Sequence, residues 1–173
     1  MPKPPPVHEL EFLRISANHY EFTKKLTSLG VGSASIGEFA RHVCASWFQL
    51  AELHLAEAQK LVQAGIPRAT LSRAYYAAYN GSKATRYLVQ GIVSLKGDDH
   101  GRASTDLPDD FPDVAQWSQR MTVLYENRLR ADYDNWQSTS TDFTLTPDAA
   151  VRLAQEFIDE VRVYLNTKYG MRL

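Results

Sequence analysis

Arg128 and Asp132 are the pair of residues in this sequence best suited to chemistry. They follow Leu124 in a segment whose apolar residues recur every three or four positions, so an arginine falls where a core residue is expected. Residues four apart share a helix face and can pair. A partly buried guanidinium keeps its charge and needs a carboxylate partner. The spacing favours an internal Arg–Asp clamp, and the alternative is a phosphate-binding arginine that Asp132 holds at the floor of a cleft.

A second polar group lies in the segment that begins Ser72-Arg-Ala-Tyr-Tyr-Ala-Ala-Tyr-Asn80. Tyr76, Asn80 and Lys83 are three or four residues apart and therefore lie along one side of a helix. Core packing explains the tyrosines more simply than ligand binding does, whereas Asn80 and Lys83 fit a core less well. The candidate binding residues of this segment are Arg73, Tyr76, Asn80 and Lys83.

The histidines give weaker signals. His100 lies in a glycine-flanked loop, where a solvated loop residue is the favoured interpretation and a mobile general base is the alternative. His54 lies among the apolar positions of its segment, which favours a core histidine over a ligand. The single cysteine, Cys44, excludes an internal disulfide and a zinc-thiolate cluster and is expected to be a buried thiol.

Several functional classes find no support in the motifs. The chain has no paired Glu-x-x-His motifs for a di-iron site, no phosphate-binding P-loop, no glycine-rich dinucleotide turn and no hydrolase elbow. Neither a metal nor a cofactor is therefore predicted. A net charge of −1 gives no general attraction for nucleic acid, so any RNA contact depends on a few placed arginines. No apolar run is long enough for a membrane span, which predicts a cytoplasmic protein.

The elements that must position these residues are predicted to be helices. A proline-rich leader precedes a short helix over 8–29, and together they form an extension over residues 1–37. The capping-box pair Ser35 and Glu38 opens a long helix to residue 64. Helices over 68–90 and 112–133 follow, with a loop over 92–110 between them. Thr146-Pro147 then begins the last helix. This pattern predicts an all-α, antiparallel bundle of four to five helices over residues 38–173.

Three blocks of the sequence resemble the HEPN superfamily. They are the Ser72–Asn80 segment, the His-Gly loop at 100–101, and Tyr125-Glu-Asn-Arg-Leu-Arg-Ala-Asp-Tyr-Asp134. The resemblance covers residues 38–168 and is greatest to small prokaryotic members in which Ala-Asp-Tyr ends the arginine helix. It implies a helical bundle that forms a homodimer.

The resemblance also implies a chemistry and a partner. Active members carry an arginine, four to six further residues, and a histidine on this helix, and two copies across a dimer cut RNA without metal. Such members often act as toxins beside a nucleotidyltransferase antitoxin, or in antiviral defence. Some carry a tyrosine near this helix, which makes Tyr133 a candidate acceptor for modification by a nucleotidyltransferase.

This sequence departs from that pattern where the histidine is expected. After Arg128 and four further residues come Tyr133, Asp134 and Asn135, and a phenol with a pKa near ~10 is a poor proton acceptor. The first hypothesis is therefore an accessory module that binds RNA, a nucleotide or a partner protein. The second is a metal-independent endoribonuclease in which Arg128 acts with Tyr133, Asp132 or His100.

Overall fold

The structure is a computed structural model that describes residues 33–91, 99–134 and 143–173, together with Lys24, Thr27, Ser28, Gly30 and Val93. Over these residues it contains five helices and no strand, which confirms the all-α prediction. The helices are α1 (Ser33–Gln63), α2 (Pro67–Gln90), the single turn α3 (Arg102–Thr105), α4 (Val114–Tyr133) and α5 (Pro147–Tyr169). Most of the predicted helix over 8–29 lies outside the described residues, and the division at residue 38 stays a prediction.

Helices α1 and α2 form a hairpin, because Gly65 adopts a left-handed conformation (φ +69°) and Pro67 starts the next helix.

Helix α1 begins at Ser33, so Ser35 lies inside the helix and not at its cap as predicted. Apolar residues three or four apart in this segment predict a buried stripe of Phe39, Val43, Trp47, Leu50, Ala58 and Leu61. Val43 and Ala58 are buried as predicted, but Trp47, Leu50 and Leu61 are only half-buried, and the side chain of Phe39 lies outside the described residues. The stripe is formed by Ala40, Val43, Cys44, Phe48, Ala51, Leu55 and Ala58.

Helix α2 occupies the centre of the bundle and packs against α1, α4 and α5. Small residues allow this close packing: a Cβ atom added to Gly81 would lie 2.9 Å from Cδ1 of Ile158 in α5. Every residue from Ala77 to Tyr87 is buried. Polar side chains on this helix must therefore find partners inside the protein.

The last two long helices follow the sequence prediction closely. In α4 the stripe of Trp117, Met121 and Leu124 is buried, and it continues into Arg128, which is only 6% exposed. Helix α5 begins with Pro147, and the side chain of Thr146 caps it by accepting a hydrogen bond from the backbone N–H of Ala149 at 3.2 Å. The predicted loop over 92–110 contains the turn α3. None of the described helices has the length and apolar character to cross a bilayer.

Candidate functional site

The guanidinium of Arg128 lies at the centre of a group of polar and aromatic side chains. One of its terminal nitrogens donates a hydrogen bond to the Tyr76 hydroxyl at 2.7 Å and lies 3.5 Å from the Tyr133 hydroxyl. Its central carbon is 5.3 Å from the ring centroid of Tyr76 and 5.1 Å from that of Tyr133, within the range of cation–π attraction. The arginine is therefore held between a half-buried tyrosine of α2 and an exposed one of its own helix.

Asp132 contacts Arg128 as the spacing predicts, but it does not satisfy the guanidinium completely. The Nε atom of Arg128 is 2.7 Å from Oδ2 of Asp132, yet its N–H does not point along that line, so this buried atom forms an ion pair without an aligned hydrogen bond. Burial lowers the pKa of Arg128, but Tyr76 and Asp132 outweigh it and raise the pKa above its usual range. The group therefore stays cationic.

His100 lies in the loop before α3 and packs against a neighbouring group of tyrosines, of which Tyr76 also contacts Arg128. Its Nδ1 is 2.8 Å from the hydroxyl of Tyr75. Its ring centroid lies 4.6 Å from that of Tyr79, 6.0 Å from that of Tyr125 and 6.1 Å from that of Tyr76. His100 is therefore half-buried and held in place, and is not the solvated loop residue that its position in the sequence favoured.

The electrostatic surroundings keep His100 neutral. Burial lowers the pKa of the ring, Arg128 lowers it further, and Asp99 only partly opposes these effects. Since an unperturbed histidine titrates near ~6.5, the neutral form predominates at neutral pH. Arg128 and His100 therefore form a cation and a neutral imidazole that act on each other electrostatically at one site.

Asp99, the residue directly before His100, is anchored in the protein interior. Its carboxylate pairs with Arg86 at 3.0 Å, accepts a hydrogen bond from the Tyr79 hydroxyl, and lies 3.8 Å from Nζ of Lys83. Arg86, Lys83 and Asp99 are all buried. We name these three residues the Asp99 group. Because it ties the loop to α2, it determines where the His100 ring can lie.

The predicted binding residues of α2 separate in the structure. Tyr76 contacts Arg128, as described above. Asn80 is buried and donates a hydrogen bond to the backbone oxygen of Tyr76, and Lys83 belongs to the Asp99 group and lies 4.6 Å from the ring of Trp47. Arg73 is half-exposed and pairs with Glu57 at 3.2 Å. The structure thus brings Tyr76, Arg128, Asp132, Tyr133 and His100 together. Arg73 and the Asn80 side chain make other contacts, and Lys83 acts on His100 only through its charge, from within the Asp99 group.

His54 lies on the α1 side of Tyr76, with 5.7 Å between the two ring centroids. It is half-buried and not deep in the core, and its Nδ1 is 3.3 Å from a terminal nitrogen of Arg73 and 3.4 Å from the Glu57 carboxylate. Burial lowers the pKa of His54, and Arg73 lowers it further. Cys44 is fully buried, and burial raises its pKa to about 12, as a structural thiol requires.

Sequence reasoning missed Tyr75 and Asp99, which act on His100, and Arg86, which pairs with Asp99. The available signal was the run Asp98-Asp-His100 next to a helix that carries two unexplained cations, Lys83 and Arg86. The part of the chain that the structure describes contains no group of three or more His, Cys, Asp or Glu side chains that could hold a metal ion.

Comparison with known proteins agrees with this architecture. The HEPN domain family matches residues 44–164. A solved structure, TT1696 from Thermus thermophilus, is 24% identical over 69% of this chain and 95% of its own, with a TM-score of 0.57. At that identity the likeness supports the fold alone. No curated protein matches the sequence.

Proposed function

The chain belongs to the HEPN domain family, and from that premise we propose that it binds RNA by holding a phosphate group between Arg128 and His100. One observation carries the proposal: two residues 28 positions apart in the sequence meet on one tyrosine group, where the cation lowers the pKa of the imidazole. A guanidinium is the side chain best matched to phosphate oxygens, and exposed aromatic rings can stack on bases. Tyr133, which is 69% exposed, supplies such a ring beside Arg128.

RNA binding is tested by fluorescence anisotropy with a short labelled single-stranded RNA over a range of salt concentrations. Arg128→Ala is expected to weaken binding about tenfold or more, since a hydrogen bond to a charged group contributes about 1.5–3 kcal/mol. The slope of log K against log salt should also fall by about 0.7, the value for one phosphate contact on a single strand. The matched control is Arg120→Ala, which removes an arginine two turns earlier on α4 that pairs with Glu156.

The two variants separate site binding from general charge attraction. The expected result is weaker binding by Arg128→Ala and wild-type binding by Arg120→Ala, with unchanged circular dichroism in both. Equal loss in both variants would mean that RNA responds to net charge alone. If Arg128→Ala binds RNA with wild-type affinity, Arg128 does not contact the RNA.

A second function, metal-independent endoribonuclease activity, is favoured by the neutral imidazole beside a cation. His100 would take the proton of a 2′-hydroxyl, the 2′ oxygen would attack the phosphorus, and the 5′ oxygen would leave with that proton, giving a cyclic phosphate and a 5′-hydroxyl. Arg128 would stabilise the charge that develops on the phosphate. Labelled RNA incubated with a metal chelator tests this: cleavage by the wild type and not by Arg128→Ala or His100→Ala supports it, and intact RNA in all three excludes it.

Tyr133 supports a further proposal about regulation by a nucleotidyltransferase partner. The residue is 69% exposed and its hydroxyl lies 3.5 Å from the Arg128 guanidinium, so a nucleotide added there would place a phosphate on that cation. Co-expression with such an enzyme and mass spectrometry would show the added mass on wild type and not on Tyr133→Phe. A homodimer and a role in a toxin–antitoxin or defence system stay predictions from the family resemblance; light scattering of the purified protein tests the first.

A further inference from the structure

We propose that Tyr75 fixes the proton of the neutral His100 ring on Nε2, so that His100 presents an N–H donor to the phosphate that Arg128 holds. The phosphate part of this inference rests on the proposed RNA binding. The position of the proton does not, because it follows from the hydrogen bond between two protein side chains.

The hydrogen of the Tyr75 hydroxyl needs an acceptor inside the protein. Tyr75 is 1% exposed, and burial raises the pKa of its phenol far above the usual range, so the hydroxyl keeps its hydrogen. Within the described ranges, the one hydrogen-bonding atom that this hydroxyl meets is Nδ1 of His100, at 2.8 Å. A hydrogen on Nδ1 would leave the phenol hydrogen buried and unbonded, at a cost of about 1–3 kcal/mol. The phenol therefore donates to Nδ1, and the neutral ring carries its hydrogen on Nε2.

The packing around His100 keeps the ring in this orientation. The ring lies nearly parallel to that of Tyr125, at 14°, and is tilted by 31° against that of Tyr79. The backbone before it is tied down through Asp99, and the carbonyl oxygen of Ala103, just after it, accepts a hydrogen bond from Ser82 at 2.8 Å. Exchanging the two ring nitrogens would require the ring to turn within this aromatic packing.

A hydrogen on Nε2 supports RNA binding by His100 and argues against its role as the base in RNA cleavage. A neutral Nε2–H group can donate to a phosphate oxygen, and it points away from Tyr75 on the opposite side of the ring. It cannot accept the proton of a 2′-hydroxyl, because the lone pair lies on Nδ1, where the Tyr75 hydroxyl already donates. Tyr75 is thus a positioning residue that favours binding over proton abstraction.

The test is nitrogen NMR on the full chain labelled with ¹⁵N-histidine at a pH where His100 is neutral, with His100→Gln used to assign the resonances. In the wild type, Nδ1 is expected to show the shift of an unprotonated nitrogen and Nε2 that of a protonated one. Tyr75→Phe keeps the ring and removes the hydroxyl, so it should move both resonances toward a mixture of the two tautomers. A protonated Nδ1 in the wild type overturns the proposal whether or not the variant folds, as do resonances that Tyr75→Phe leaves unmoved.

RNA measurements on the same samples distinguish this inference from the proposed function. An Nε2–H tautomer together with a several-fold loss of RNA affinity in Tyr75→Phe supports both, since a free Nδ1 lets the donor leave Nε2. An Nε2–H tautomer that shifts in Tyr75→Phe, in a wild-type protein that binds no RNA, keeps the role of Tyr75 and rejects the function. Cleavage by the wild type at a rate that Tyr75→Phe does not change would contradict the separation of binding from proton abstraction.

Discussion

The Asp99 group and the Arg128 site (Arg128 with Tyr76, Asp132, Tyr133 and His100) each contain arginine and aspartate, but they differ in how far those charges are satisfied inside the protein. Lys83, Arg86 and Asp99 are each at most 3% exposed, and one carboxylate lies between two cations. Arg128 is almost as buried, but its partner Asp132 is 26% exposed at the side chain and Tyr133 is largely exposed. The first set of charges is enclosed, whereas the second reaches the surface.

The difference indicates which buried charges in a protein can bind a ligand. A buried ion pair whose members meet only each other and the protein contributes to the structure, because no ligand can reach it. A guanidinium whose partners include an exposed aspartate and an exposed tyrosine can exchange those contacts for a ligand that arrives from the surface. Charge and burial alone would not distinguish Arg86 from Arg128.

The largest expected effect is on the enclosed group. Asp99→Ala leaves Arg86 and Lys83 facing each other without their carboxylate, and removing one partner of a buried pair costs about 3–5 kcal/mol. Urea unfolding followed by circular dichroism measures this loss in the free energy of unfolding. A loss below about 1 kcal/mol, the usual range of a surface pair, would show that the group is not enclosed.

Arg128→Ala should have a smaller effect on stability than Asp99→Ala, even though both remove a buried charge. Tyr76 and Asp132 are half-buried or exposed and can turn to water, so we expect a loss of about 1 kcal/mol in the same unfolding experiment. The effect on RNA affinity should be the larger one. If Arg128→Ala and Asp99→Ala destabilise equally, Arg128 is a structural clamp and the contrast between the two groups is broken.

The pH dependence of the free energy of unfolding tests the electrostatic environment of His100, on which the charges of both groups act. Its folded-state pKa is below the ordinary value, so the unfolded chain takes up the proton first, and stability falls as the pH drops through the ordinary histidine range. Arg128 and Lys83 face the ring as cations, and Asp99 opposes them. Unfolding at pH 7.5 and 5.5 should show lower stability at 5.5, with a smaller decrease in His100→Gln. His54 contributes in the same direction and remains in both proteins. An equal decrease in the two proteins would mean that the His100 pKa is not lowered.

The smallest effect is expected from Arg102→Ala, a matched change at the start of α3, two residues after His100. Arg102 pairs with Asp106 at 2.6 Å, but its side chain is 53% exposed, and such pairs contribute about 0–1 kcal/mol. Both stability and RNA affinity should stay near wild type. A clear loss of affinity would show that RNA contacts the loop itself, so that the site extends beyond Arg128 and His100.

Local patterns were sufficient to predict most of the helices and one contact of the site. The positions of α2 and α4 follow from apolar spacing, and that of α5 follows from the Thr146-Pro147 cap, since each signal acts within one or two turns. The Arg128–Asp132 pair was predictable for the same reason. The start and the buried face of α1 were misplaced, because its alanines and large residues allow more than one stripe.

By itself the sequence determined the helices, the burial of Arg128 and its pairing with Asp132, because these depend on residues within four positions of each other. Only the tertiary structure brought His100 onto Tyr75 and Asp99 onto Arg86, pairs separated by 25 and 13 residues. The path of a loop depends on what its side chains can reach in the folded bundle, and no spacing rule encodes that. For the same reason, only the tertiary structure shows that Arg86 is enclosed with Asp99, whereas Arg128 lies beside exposed residues at the surface.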